Sequence, residues 1–142
     1  MSKIVFLILL MLASALAPAY AFERNRTASA PSGVVVVVND NNFRQEVLNS
    51  RTLVLVIFWA NWSGPSRRMM PILESIANDY EGRVKVAKLD VDDNSRTTQT
   101  YNVNGLPTLI VFKNGAAQKR IVGPTTKEQI RRTLEKYLRG NR

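Results

Sequence analysis

The residues best placed by type and spacing to do chemistry are two serines, Ser63 and Ser66. They flank Gly64-Pro65 in the stretch WANWSGPSRR, residues 59–68. A serine hydroxyl is a poor nucleophile until a neighbouring base takes its proton. The 142 residues include no histidine and no cysteine. The first absence removes the commonest general base near neutral pH and the commonest metal ligand. The second excludes thiolate nucleophiles, disulfides and thiolate metal sites. No cofactor and no metal site is expected.

The stretch lies where the apolar run TLVLVIFW (52–59) gives way to a helical pattern from about Pro65 to Tyr80. At such a junction backbone N–H groups are free and the helix dipole favours negative charge. A thiol at position 63 would have its pKa lowered by that field. A hydroxyl titrates far too high to ionise there near neutral pH.

The elements that position these residues alternate along the chain. VVVVV (34–38) reads as a buried strand, and NDNNFRQEVLNS (39–50) as a short helix opening on Asn/Asp caps. The 52–59 run has the length and β-branched content of a central strand buried on both faces. In the helix that follows, Met69, Ile72, Leu73, Ile76 and Tyr80 recur at helical spacing. Gly82 suits its C-terminal end and Pro71 should kink it. RVKVAKLDV (83–91) alternates like a strand, and a polar helix of about 93–101 follows. PTLIVFKNGAAQKRIVG (107–123) holds two strands around Asn114-Gly115, a strong hairpin signal. The last helix is expected to open on the capping box Thr125-x-x-Glu128 and to bury Ile130, Leu134, Tyr137 and Leu138. The order βαβαβαββα predicts an α/β fold. Its central mixed sheet is flanked by helices, parallel at first and closing with an antiparallel hairpin.

In this order and spacing, residues 34–139 resemble the thioredoxin family from end to end. FWANWSGPSRRMMPILESIA is similar to the family's segment around W-C-G-P-C, VAKLDVDDN to its third strand, and NGLPTLIVFKNG to its cis-proline loop and hairpin. VGPTTKEQIRRTLEKYL resembles its C-terminal strand and helix. The resemblance implies a thioredoxin fold with Pro107 as the cis-proline.

Three departures from the family carry functional information. Ser63 and Ser66 stand where it has its two cysteines, and Ile57 stands where it usually has a buried aspartate that assists proton transfer. A carboxylate buried for chemistry costs stability, and an aliphatic residue removes that cost. The resemblance therefore implies a pseudo-enzyme, redox-inactive and with no catalytic residue. An engineered Cys-to-Ser knockout of a thiol-disulfide oxidoreductase is the alternative, but silencing the thiols gives no reason to alter position 57. A Ser-Lys arrangement would draw on Lys88, which by resemblance lies on the strand beneath the motif. The simpler reading makes the serines isosteric fillers and Lys88 a strand residue reaching solvent.

What the resemblance leaves intact is a binding surface. The family docks substrates at positions that map to Trp62, Gly64, Pro65, Gly105, Leu106, Pro107 and Gly123. An extended peptide laid beside the residue before the cis-proline would form main-chain hydrogen bonds, as in strand addition. The same glycines and prolines also serve turns whatever binds, and Trp59 is expected in the core. A role as a structural subunit of a larger exported assembly is a further alternative.

The net charge is +9. Arg67 and Arg68 fall in the first turn of a helix, a poor place for cations unless an anion lies nearby. Lys127, Arg131, Arg132, Lys136 and Arg139 make the last helix basic, and Lys119-Arg120 adds to the balance. The default for such residues is a solvated face; the functional reading is attraction to an acidic protein or peptide, or to an anionic membrane surface. No nucleic-acid module is recognised, and none is expected as a partner.

At the N-terminus, Lys3, the apolar run Ile4 to Ala17 and the A-x-A site Ala19-Tyr20-Ala21 read as a signal peptide, residues 1–21. The run is shorter than the roughly 20 residues that span a bilayer, and membrane association is expected only if it stays uncleaved. Residues 22–33, FERNRTASAPSG, read as a flexible leader, and 34–142 as one domain. Periplasm, organelle lumen and cell exterior fit equally. Two Asn-x-Ser/Thr sequons occur, at Asn25 and Asn61, the second on the expected binding surface. Export makes the lack of cysteine telling, since small exported domains often rely on disulfides.

Overall fold

An apolar strand with neighbours on both edges fixes the centre of the molecule. In the computed structural model, which describes residues 33–140, β2 (Leu53–Trp59) pairs in parallel with β3 (Val84–Asp90) and antiparallel with β4 (Thr108–Lys113). β1 (Val36–Val37) adds in parallel to the outer edge of β3, and β5 (Ala116–Val122) antiparallel to β4. The sheet order is β1-β3-β2-β4-β5. The expected signal segment and nearly all of the leader lie outside the described residues.

Alternation along β2 sends its side chains into two cores, as the two-residue period of a strand requires. Leu53, Leu55 and Ile57 pack with Met69, Leu73 and Ile76 of α2 (Gly64–Asp79) and Ile130 and Leu134 of α4 (Lys127–Arg139). Val54, Val56 and Phe58 pack with Phe43, Val47, Ala87, Leu89, Ile110 and Phe112 on the other face. There the half-buried Tyr101 ring stands edge-on to Phe112, with centroids 5.2 Å apart. This is the central mixed sheet flanked by helices that the sequence predicts.

Three elements differ from expectation. β1 is two residues long rather than five and is not a buried strand: Val36 and Val37 are in register with Ala87 and Lys88, the Val38 N–H donates to the Lys88 carbonyl at 2.9 Å, and Val34 and Val37 are exposed. The first helix shrinks to one π-type turn, α1 (Arg44–Leu48). The Asn39 side chain accepts the N–H groups of Asn41 and Asn42, and that of Asn42 accepts the N–H of Asn39. These bonds hold the preceding residues as a turn rather than a helix. The cap of α4 lies one residue later than expected. Thr126, extended at φ −95° and ψ 154°, accepts the Gln129 N–H at 3.2 Å, while Thr125 Oγ1 donates to Gln129 Oε1. Thr125-x-x-Glu128 and Thr126-x-x-Gln129 both satisfy the capping pattern, and the backbone uses the second.

Other local signals hold. Asn114 and Gly115 both have positive φ, 50° and 78°, as a tight hairpin turn between β4 and β5 needs. The short helix α3 (Ser95–Thr100) lies within the predicted range. Pro71 lies within α2 at an exposed position. Gly82, with φ 76°, turns the chain after α2, where the Tyr80 carbonyl accepts from both Arg83 and Val84.

Candidate functional site

The site grows from the end of β2. Beyond Trp59 the chain passes through buried Ala60 and exposed Asn61 and Trp62, and the Ser63 N–H closes this turn onto the Ala60 carbonyl at 3.1 Å. Ser63 is the N-cap of α2: it is extended, and its Oγ accepts the Ser66 N–H at 3.3 Å. Pro65 occupies the first turn, where its missing N–H costs nothing. Ser66 lies one turn further in, fully buried, and its Oγ has no hydrogen-bond partner among the described residues. One serine thus has a structural task and the other fills space.

Trp62 is 69% exposed. Its indole Nε1 donates to both carboxylate oxygens of Asp92, at 3.0 and 3.2 Å. Asp92 follows β3, and the Val91 N–H on the Trp59 carbonyl at 3.0 Å holds that turn beside the end of β2. The exposed ring is therefore anchored at one edge.

The remaining predicted residues arrive by strand register. Phe58 pairs with Thr108, and Thr108 with Val122, so Leu106-Pro107 and Gly123 reach the same end of the sheet as Ser63. The Leu106–Pro107 bond is cis. The Gly123 N–H donates to the Pro107 carbonyl at 2.8 Å, and Thr108 Oγ1 donates to the Gly105 carbonyl at 2.6 Å. A Cβ built on Gly105 would come within 3.1 Å of Val122 Cγ1, so glycine lets this loop lie close to β5. Trp62, Gly64, Pro65, Gly105, Leu106, Pro107 and Gly123 all stand on one end of the sheet.

The surroundings of the serines supply no base. Ile57 is fully buried and in register with Lys88 and Leu109. The Lys88 Nζ lies 5.8 Å from the centre of the Trp59 ring and makes no hydrogen bond to either serine. It lines a cleft with Asn39, Trp59, Asp90 and Asn94 that neither serine borders. Among the described residues no group of His, Cys, Asp and Glu side chains is gathered in a way that could hold a metal ion.

Charge is distributed less evenly than the sequence suggests. Lys127 pairs with Asp79 at 2.8 Å, which holds the Asp79 carboxyl below its ordinary value. Glu128 faces Arg132 at 3.0 Å and Arg131 at 3.9 Å. Arg120 donates to the Tyr101 and Asn102 carbonyls, so much of the basic character of β5 and α4 is engaged locally. At the candidate site, Arg67 Nη1 donates to the Asn61 carbonyl at 2.6 Å, and neither Arg67 nor Arg68 has a carboxylate within 4.0 Å among the described residues.

Asp92 is the residue of this candidate site that the sequence did not single out. The acidic turn VDDN was visible after the third strand, but nothing local links it to a tryptophan 30 residues earlier.

A family model described as Thioredoxin matches residues 34–136. The chain is 45% identical to the thioredoxin of Synechocystis sp. over 101 residues, which is 71% of this chain and 94% of that protein. Over the same shares it is 44% identical to thioredoxin 1 of Nostoc sp. and 42% identical to the thioredoxin of Pseudomonas aeruginosa. With the sheet order, the cis-proline loop and the match over most of the chain in agreement, this protein belongs to the thioredoxin family.

Proposed function

We propose that this protein is an exported, redox-inactive thioredoxin-like protein that binds an extended peptide or a protein partner, without covalent chemistry, through the former active-site face. The observation that carries this reading is one end of the sheet that keeps an exposed tryptophan and a cis-proline loop while the family's cysteines are absent from it. Trp62 is exposed and anchored by Asp92 beside a cis Leu106–Pro107 loop. Positions 63 and 66 are serine and position 57 is isoleucine. Dithiol exchange needs two thiols, and this chain contains no cysteine. An exposed tryptophan is the kind of anchor on which interface energy concentrates.

The test is a quantitative pull-down from the native exported fraction, comparing the protein with a Trp62→Ala variant confirmed to be folded. One stoichiometric partner lost in the variant supports a dedicated binding protein; many substoichiometric partners lost together support a holdase. Equal recovery with both proteins overturns the docking role of this face.

The high identity to thioredoxins favours a second reading, an oxidoreductase whose cysteines were replaced by serine. Ser63→Cys with Ser66→Cys separates the two. Natural loss predicts weak disulfide reduction, because Ile57 offers no proton acceptor. Robust reduction by the double variant would support the second reading.

A further inference from the structure

The binding reading leaves the chemistry of the partner open, and two arginines narrow it. A Cβ placed on Gly64 would lie 3.5 Å from Arg68 Nη1 and 3.9 Å from Arg67 Nη2. Each guanidinium therefore places a nitrogen within 4 Å of the same point above Gly64, a separation that one carboxylate can bridge. Neither has a carboxylate within 4.0 Å among the described residues. The nearby acid, Asp92, is engaged by the Trp62 indole. Two like charges close together at the start of a helix repel each other and oppose the dipole, and an anion between them relieves both.

The turn that holds Trp62 is acidic. Asp92 and Asp93 are exposed on the turn after β3. Asp92 lies against the Trp62 indole, while Asp93 lines the neighbouring cleft with Trp59 and Lys88. The chain as a whole carries +9. That charge opposes pairing with a second copy through this face and favours an acidic partner.

Resting on the docking role proposed above, we infer that the face selects an extended peptide segment carrying an aspartate or glutamate, whose carboxylate is bonded by Arg67 and Arg68 over Gly64. The segment runs past Trp62 toward the cis-proline loop, and an acidic residue at its Asp92 end is rejected. A planar guanidinium matches a carboxylate with two parallel hydrogen bonds, so lysine does not replace arginine here without loss.

The experiment is selection from a displayed random peptide library by the full chain, repeated with Arg67→Gln/Arg68→Gln and with Trp62→Ala. The expected result is a peptide set with Asp or Glu enriched at one position. That enrichment disappears with Arg67→Gln/Arg68→Gln, and the best peptide binds the arginine variant about five- to tenfold more weakly at low salt. Peptides selected by wild type but not by Trp62→Ala, with no acidic preference, would overturn the arginine assignment and leave the docking face standing. An acidic preference that survives the arginine double variant would do the same and move recognition elsewhere. No peptide selected by wild type, or dimerisation lost in Trp62→Ala, would overturn both.

Discussion

Ser63 and Ser66 carry the same side chain three positions apart, and their surroundings give opposite expectations for its removal. Ser63 Oγ caps α2, so Ser63→Ala should lower the free energy of unfolding by about 1 kcal/mol. Ser66 Oγ is buried without a partner, so the hydroxyl was desolvated with nothing in return. Ser66→Ala should leave stability unchanged or raise it by up to about 1 kcal/mol. Denaturant unfolding of the two variants checks this; equal losses would mean that Ser66 Oγ is satisfied after all. The identities that matter at this scale, Ser63, Ser66 and Ile57, were legible in sequence because their meaning comes from fixed places in a known pattern. The exposure of Trp62 was legible for the same reason. Its bond to Asp92, and the approach of Arg67 and Arg68 to Gly64, were not, since both depend on how side chains turn after the backbone is set.

Among the elements, α3 shows how a short helix is held from outside. Its N-cap residue, Asn94, makes no side-chain cap. Asp40, more than fifty residues earlier in the chain, takes that place. Its Oδ1 accepts from the Thr97 N–H at 2.8 Å and from Thr97 Oγ1 at 2.7 Å, and its Oδ2 from the Arg96 N–H at 3.3 Å. Asn94 binds back, accepting the Asp40 N–H and donating to the Asp90 carbonyl. The Thr97 hydroxyl, the largest influence, holds the Asp40 carboxyl below its ordinary value of 3.8. A carboxyl lowered on folding contributes stability that is present above its unfolded pKa and lost as pH falls through the lower folded value. Asp40→Asn should therefore cost about 1 kcal/mol near neutral pH, and the difference from wild type should shrink as pH drops below 3.8 toward the folded value. Thermal unfolding across that range measures it; a gap that stays constant in acid would remove the charge from the account. Sequence reasoning found α3 but not its support. The core of α2 was legible from its helical period, and that of β2 from the length and β-branched content of its apolar run. Ends were not, because β1, α1 and the α4 cap are decided by which polar groups find partners.

For the whole molecule, the proposed export predicts a shorter and slightly less basic protein. Removal of residues 1–21 takes away Lys3 and no acid. Intact mass of the native product should place its first residue at Phe22; retention of Met1 would count against cleavage. With no cysteine the chain forms no disulfide, and the sheet is packed between two apolar cores fed by opposite faces of β2. The order of that sheet has a consequence for how the protein is made. β2 leaves the ribosome before both of its neighbours: β3 follows only after the whole of α2, and β4 only after α3. Until Lys113 has been synthesised, the most apolar strand of the protein has an open edge, and such an edge will pair with whatever strand it meets. Completion of the chain, rather than any early segment, sets the moment at which the sheet can close, and a nascent chain stalled before Thr108 would be the form most prone to aggregate.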